Sequence, residues 1–107
     1  MSRRLVVAIV ALLFAGCSSD DEPVPGACLD RPEAIVRALA GAPGAVALAD
    51  GTRLSSCVSR ARTDGELQTL GVAFIRAADT LRAQATSDPA AALRLGYLAG
   101  AVTAGAA

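Results

Sequence analysis

The chain has 107 residues, with ten arginines balanced by ten acids and no lysine, histidine or tryptophan. Without histidine it lacks the commonest neutral-pH acid–base group and the commonest metal ligand, and zero formal charge gives no electrostatic pull toward nucleic acid. The length accommodates one small domain. An all-Arg basic set beside abundant Ala and Gly reads as coding bias before it reads as function.

Taken from the start, Arg3 and Arg4 form a charged opening, Leu5 to Ala15 is an unbroken apolar run, and Gly16 and Cys17 close it with small residues. This is the layout of an export signal, whose apolar centre is typically ~7–15 residues. As a helix the run would rise only about 16 Å, against a hydrocarbon core of about 30 Å, which disfavours a membrane span. Residues 1–16 are therefore expected to be a signal peptide.

The residues at its boundary, Leu13-Phe14-Ala15-Gly16-Cys17, resemble the lipobox of bacterial lipoproteins, in which Ala-Gly-Cys is the usual ending. Phe14 stands where that pattern usually has Leu. The resemblance covers residues 1–17 only. It implies cleavage before Cys17 and attachment of diacylglycerol, with palmitate-type acyl chains, to its sulfur. It also implies a protein of the cell envelope, held on the extracytoplasmic face of a membrane. Cleavage would leave 91 residues with eight arginines against ten acids, a net charge of −2. Each buried CH₂ of the anchor contributes ~0.8 kcal/mol, and two or three chains hold where one binds only reversibly.

Residues 17–26 continue as Cys-Ser-Ser-Asp-Asp-Glu-Pro-Val-Pro-Gly, polar, acidic and broken by prolines. They read as a flexible tether, and residues 27–107 as the folded domain. Cys28 and Cys57 are the remaining cysteines. In an exported chain an even pair reads as a disulfide, and closing a loop of about 30 residues stabilises by roughly 3.5 kcal/mol in the chain-entropy model.

A helix is expected from Asp30 as its cap through Pro32, Glu33, Ile35, Val36 and Leu39, stopping at Gly41. In residues 45–54 Val46 and Leu48 alternate with small residues ahead of Asp50-Gly51, a two-residue turn signal, so a short β-hairpin is the reading there. Asp50-Gly51-Thr52 is also similar to the end of the haloacid-dehalogenase phosphatase signature. That motif needs a nucleophilic Asp at position 48, which is Leu48 here. Ser55 and Ser56 look like a cap for a helical stretch from Cys57 to Arg62.

Thr63 and Glu66 have capping-box spacing, and Leu67, Leu70, Gly71, Phe74, Ile75, Ala78, Leu81 and Ala85 fall at helical spacing behind them. Asp88 or Ser87 then caps a further Ala-rich helix that begins at Pro89. The fold class expected is mainly α, with an antiparallel helical hairpin of about 64–86 and 89–104 and one disulfide. Ala92, Gly96, Gly100 and Ala104 recur every fourth residue, a row that permits close helix approach, with either the preceding helix or a second copy of the chain as partner. After Arg94 no charge follows; the ending Gly105-Ala106-Ala107 fits either a frayed terminus or a truncated form of a longer chain.

For chemistry the candidates are Ser55, Ser56, Asp50, Asp64, Asp79 and Tyr97. No Gly-x-Ser-x-Gly, phosphate loop or metal-ligand spacing accompanies them, and each acid already has a reading as turn, cap or surface pair. The expectation is a non-catalytic, cofactor-free envelope lipoprotein that interacts with an envelope protein or with itself. Small-molecule binding, in a pocket lined by Leu70, Phe74 and Tyr97, is the alternative. A hydrolase with two converging carboxylates ranks third.

Overall fold

The computed structural model describes residues 23–107; the predicted signal peptide, Cys17 and most of the expected tether lie outside the described residues. A 3₁₀ turn, Gly26–Leu29, precedes four helices: α1 (Pro32–Leu39), α2 (Leu54–Arg60), α3 (Asp64–Gln84) and α4 (Pro89–Ala106). The expected mainly α fold with its antiparallel hairpin is what forms.

α1 starts one residue later than a cap at Asp30 would place it. Pro32 occupies its first turn with Arg31 as N-cap, because proline supplies the helical φ and lacks the N–H that would go unpaired there. The Asp30 carboxylate instead accepts the Arg31 N–H at 2.8 Å. Ile35 and Leu39, one turn apart, are buried. The helix closes at Leu39, before Gly41, by tightening: Ala40, Gly41 and Ala42 each donate to a carbonyl three residues back. Gly41 is needed for proximity, since a Cβ there would collide with the Ala45 carbonyl.

Residues 45–54 do not form the expected hairpin; no strand occurs among the described residues. The Asp50-Gly51 turn itself does form. Gly51 has φ +86°, the Leu48 N–H donates to the Thr52 carbonyl at 2.9 Å, and the Gly51 N–H donates to the Leu48 carbonyl at 2.8 Å. The ladder stops after that pair because α2 begins at Leu54, leaving a second arm too short to continue it. Leu48 is driven into the core, 4% exposed.

α2 begins at Leu54 with Arg53 as N-cap and no side-chain cap, so Ser55 and Ser56 lie inside the helix rather than before it. It ends at Arg60, short of Arg62, because Ala61 is extended and Thr63 opens α3. There the capping box is complete. Thr63 Oγ1 accepts the Glu66 N–H at 3.1 Å, and Glu66 Oε1 accepts from the Thr63 N–H and hydroxyl.

The buried residues of α3 are Leu70, Ala73, Phe74, Ala77 and Leu81. This stripe is rotated from the expected one, because α3 is covered from two sides and its alanines sit at the middle of the contact. Leu67 and Ile75, which share the helical spacing of the apolar stripe, are 47% and 63% exposed. α3 ends at Gln84, and the Asp88 N–H bonds back to the Gln84 carbonyl. Asp88 then caps α4 through the Ala90 N–H at 3.0 Å, ahead of Pro89.

α3 and α4 pack as the hairpin, α1 lies on α3, and α2 lies on α4. The 3₁₀ turn leans on α3 and is joined to α2 by the Cys28–Cys57 disulfide, with Cα atoms 5.6 Å apart and both residues buried. Val24, expected in the tether, is buried in the same core, so ordered structure begins ahead of residue 27. Gly105 supplies the close approach of α4 to α2: a Cβ there would meet the Ser55 carbonyl and lie 2.6 Å from Val58 Cβ.

Candidate functional site

The three residues expected to line one pocket fall on two surfaces. Leu70 and Phe74 lie at the base of a groove of about 480 Å³ between α3 and α4. Leu67, Ile75, Leu95 and Val102 form its walls, and none of the residues lining it is charged. Tyr97 points elsewhere, into a depression of about 630 Å³ between the 44–55 segment and α4. The two rows on α4 diverge because Leu98 is buried between them.

Of the two partners expected for the small-residue row, the preceding helix does not take it. Ala92, Gly96, Gly100 and Ala104 are all exposed, and a Cβ at Gly96 or Gly100 would meet nothing within 4 Å. Among the described residues neither glycine of the row makes a close helix contact. Gly100 and Ala104 instead help floor the Tyr97 depression. Gly105, which does make the close contact, lies one residue outside the fourfold spacing and could have been found only from the placement of α2.

The acids are tied up locally. Asp50 Oδ1 accepts the Thr52 N–H at 2.9 Å, which holds its carboxyl below the usual range, the Thr52 side chain adding to the effect. Asp79 pairs with Arg82 at 3.3 Å, both well exposed, which makes the pair a weak contributor. Asp64 sits in the first turn of α3, where negative charge is favoured by the helix dipole. No three His, Cys, Asp or Glu side chains converge among the described residues.

Arg53, Ser55 and Tyr97 do share one site. All three line the Tyr97 depression, with Leu54, Val46 and Ala101 as apolar walls. Sequence reasoning does not group Arg53 with Ser55, which it names only as a cap and a candidate for chemistry; the one signal for Arg53 is its position, just after the Asp50-Gly51 turn. No helix of the described residues is long and apolar enough to cross a membrane. No protein-family model, curated protein or solved structure matches this chain.

Proposed function

We propose that this chain is an exported lipoprotein, anchored through acyl chains on Cys17 at the extracytoplasmic face of a cell envelope, whose helical domain has a non-catalytic interaction or accessory role. The observation that carries this reading is the succession of Arg3-Arg4, the apolar run Leu5–Ala15 and the Ala15-Gly16-Cys17 ending. The buried Cys28–Cys57 bond supports it independently, since structural disulfides persist in oxidising compartments. The apolar α3–α4 groove suits a protein partner, and the mature net charge of −2 favours no nucleic acid.

Metabolic labelling with a palmitate analogue tests the anchor. Wild type should incorporate label and Cys17→Ala should not; equal labelling of both, or of neither, removes the reading. A second reading, small-molecule binding, is favoured by the depression in which Arg53, Ser55 and Tyr97 meet among apolar walls.

A further inference from the structure

We propose that the depression between the 44–55 segment and α4 binds an aromatic monocarboxylate. The inference deepens the small-molecule reading and rests on it, while standing apart from acylation of Cys17. Three observations select the ligand class.

The first is charge. Arg53 is the one fully charged side chain lining the depression, and no acid lines it. Among the described residues the Arg53 guanidinium makes no hydrogen bond or ion pair. The nearest acid in sequence, Asp50, has its carboxylate on the Thr52 N–H. A guanidinium offers a planar fork of donors that matches a carboxylate bidentately. With a single cation, a single negative charge is balanced and a dianion is not.

Shape supplies the second. Tyr97 is 39% exposed, an aromatic ring left partly open beside the small residues Gly100 and Ala104. Gly100 leaves its Cβ position clear by 4 Å. Leu54, Val46 and Ala101 complete apolar walls on which a flat ring can lie, and stacked aromatic pairs gain about 0.5–1.5 kcal/mol beyond area burial.

Unspent polar capacity is the third. The Ser55 hydroxyl and the backbone N–H groups of Ala45, Val46 and Ala47 have no hydrogen-bond partner among the described residues. They border the same space as Arg53 and can donate to a carboxylate or to ring substituents. The α3–α4 groove has no comparable group, and it serves as the control surface.

The experiment titrates the purified protein with 2-naphthoate and with its uncharged counterpart 2-naphthamide, followed by ¹⁵N–¹H NMR. Saturable shifts are expected at Val46, Ser55 and Gly100, with naphthoate binding about tenfold tighter than the amide. Arg53→Gln, a surface change, should bring naphthoate down to the level of the amide. Gly100→Leu grows into open space and should abolish both, while Ile75→Glu in the other groove should alter neither. Equal affinity for acid and amide, or no effect of Arg53→Gln, overturns the carboxylate assignment and leaves the ligand-binding reading in place. Absence of saturable shifts with either probe at millimolar concentration overturns both.

Discussion

Between Asp64 and Ala106 nearly every residue belongs to one of two long helices, whereas between Val24 and Arg60 the helices have eight and seven residues and residues 40–53 belong to none. Isolated helices below about 12–15 residues are marginal in water, so α1 and α2 depend on what they are fastened to. The hairpin carries its own instructions: a complete capping box at Thr63, an Asp88 cap ahead of Pro89, and an apolar stripe of the right period. The other region is held by a covalent bond, by Leu48 inserted from a loop, and by Leu39 and Leu54 buried at the ends of short helices.

The sharpest way to break this comparison is to remove the staple. Replacing Cys28 and Cys57 together by Ser should cost about 3.5 kcal/mol by the chain-entropy estimate for a loop of this size. That is a large share of the roughly 5–15 kcal/mol typical of a whole domain. In hydrogen exchange the loss should fall first on α1, α2 and the segment between them, with α3 and α4 outlasting them. Uniform loss of protection would mean the two regions unfold as one.

Next comes the seam where the regions meet. Gly105→Val puts side-chain atoms against the Ser55 carbonyl and Val58. Overpacking of this kind costs about 1–3 kcal/mol, with the lower end expected because the last turn of α4 can fray. Gly96→Ala on the same helix has open space above it and should stabilise by up to about 1 kcal/mol, the propensity difference between the two residues. Thermal denaturation of both variants checks the sign. If Gly105→Val is neutral, α4 does not pack on α2 as described.

This contrast also explains how far the sequence could be read. Elements specified within four residues of themselves were legible: the capping box, the Asp88-Pro89 restart, the Asp50-Gly51 turn and the helical hairpin. What was misread depended on neighbours. Leu67 and Ile75 fit the apolar period of α3, but which part of a broad stripe is covered is decided by α1 and α4 together. Val46 and Leu48 alternate like a strand, yet pairing needs a second arm, and α2 begins too early to leave one. The Ala92–Ala104 row marks a packing face by its spacing, but the preceding helix does not take it, and within the domain the close contact of α4 falls at Gly105 against α2. Tyr97 was assigned to the wrong pocket for the same reason: Leu98, beside it, takes the core.

A smaller effect belongs to the hairpin alone. Thr63→Ala removes the oxygen that accepts the Glu66 N–H and the partner of the Glu66 carboxylate. N-cap losses of this kind cost about 1 kcal/mol. The unfolding midpoint should drop accordingly, and the added exchange should be confined to the first turn of α3. Spread of that change into α1 or α2 would show that the hairpin is less self-sufficient than its local signals imply.

The least costly perturbation falls on the stapled region and is set by pH. The Asp50 carboxyl is fully exposed, and the Thr52 N–H, with help from its side chain, holds it below the ordinary value of 3.8. A carboxyl whose folded value is depressed stabilises the fold above its unfolded value, and that contribution is lost as pH falls through the folded one. The turn that inserts Leu48 should therefore loosen in acid below pH 3.8, while Gly51 keeps its positive φ and the disulfide its connection. An NMR acid titration should show the Thr52 amide reporting a midpoint below that value. Asp50→Asn, which keeps an oxygen acceptor and removes the charge, should leave the same amide insensitive to pH. A midpoint at or above the ordinary carboxyl value would mean that the Asp50–Thr52 bond does not form in solution. Leu48 would then be held by burial and by its own backbone bond to Thr52.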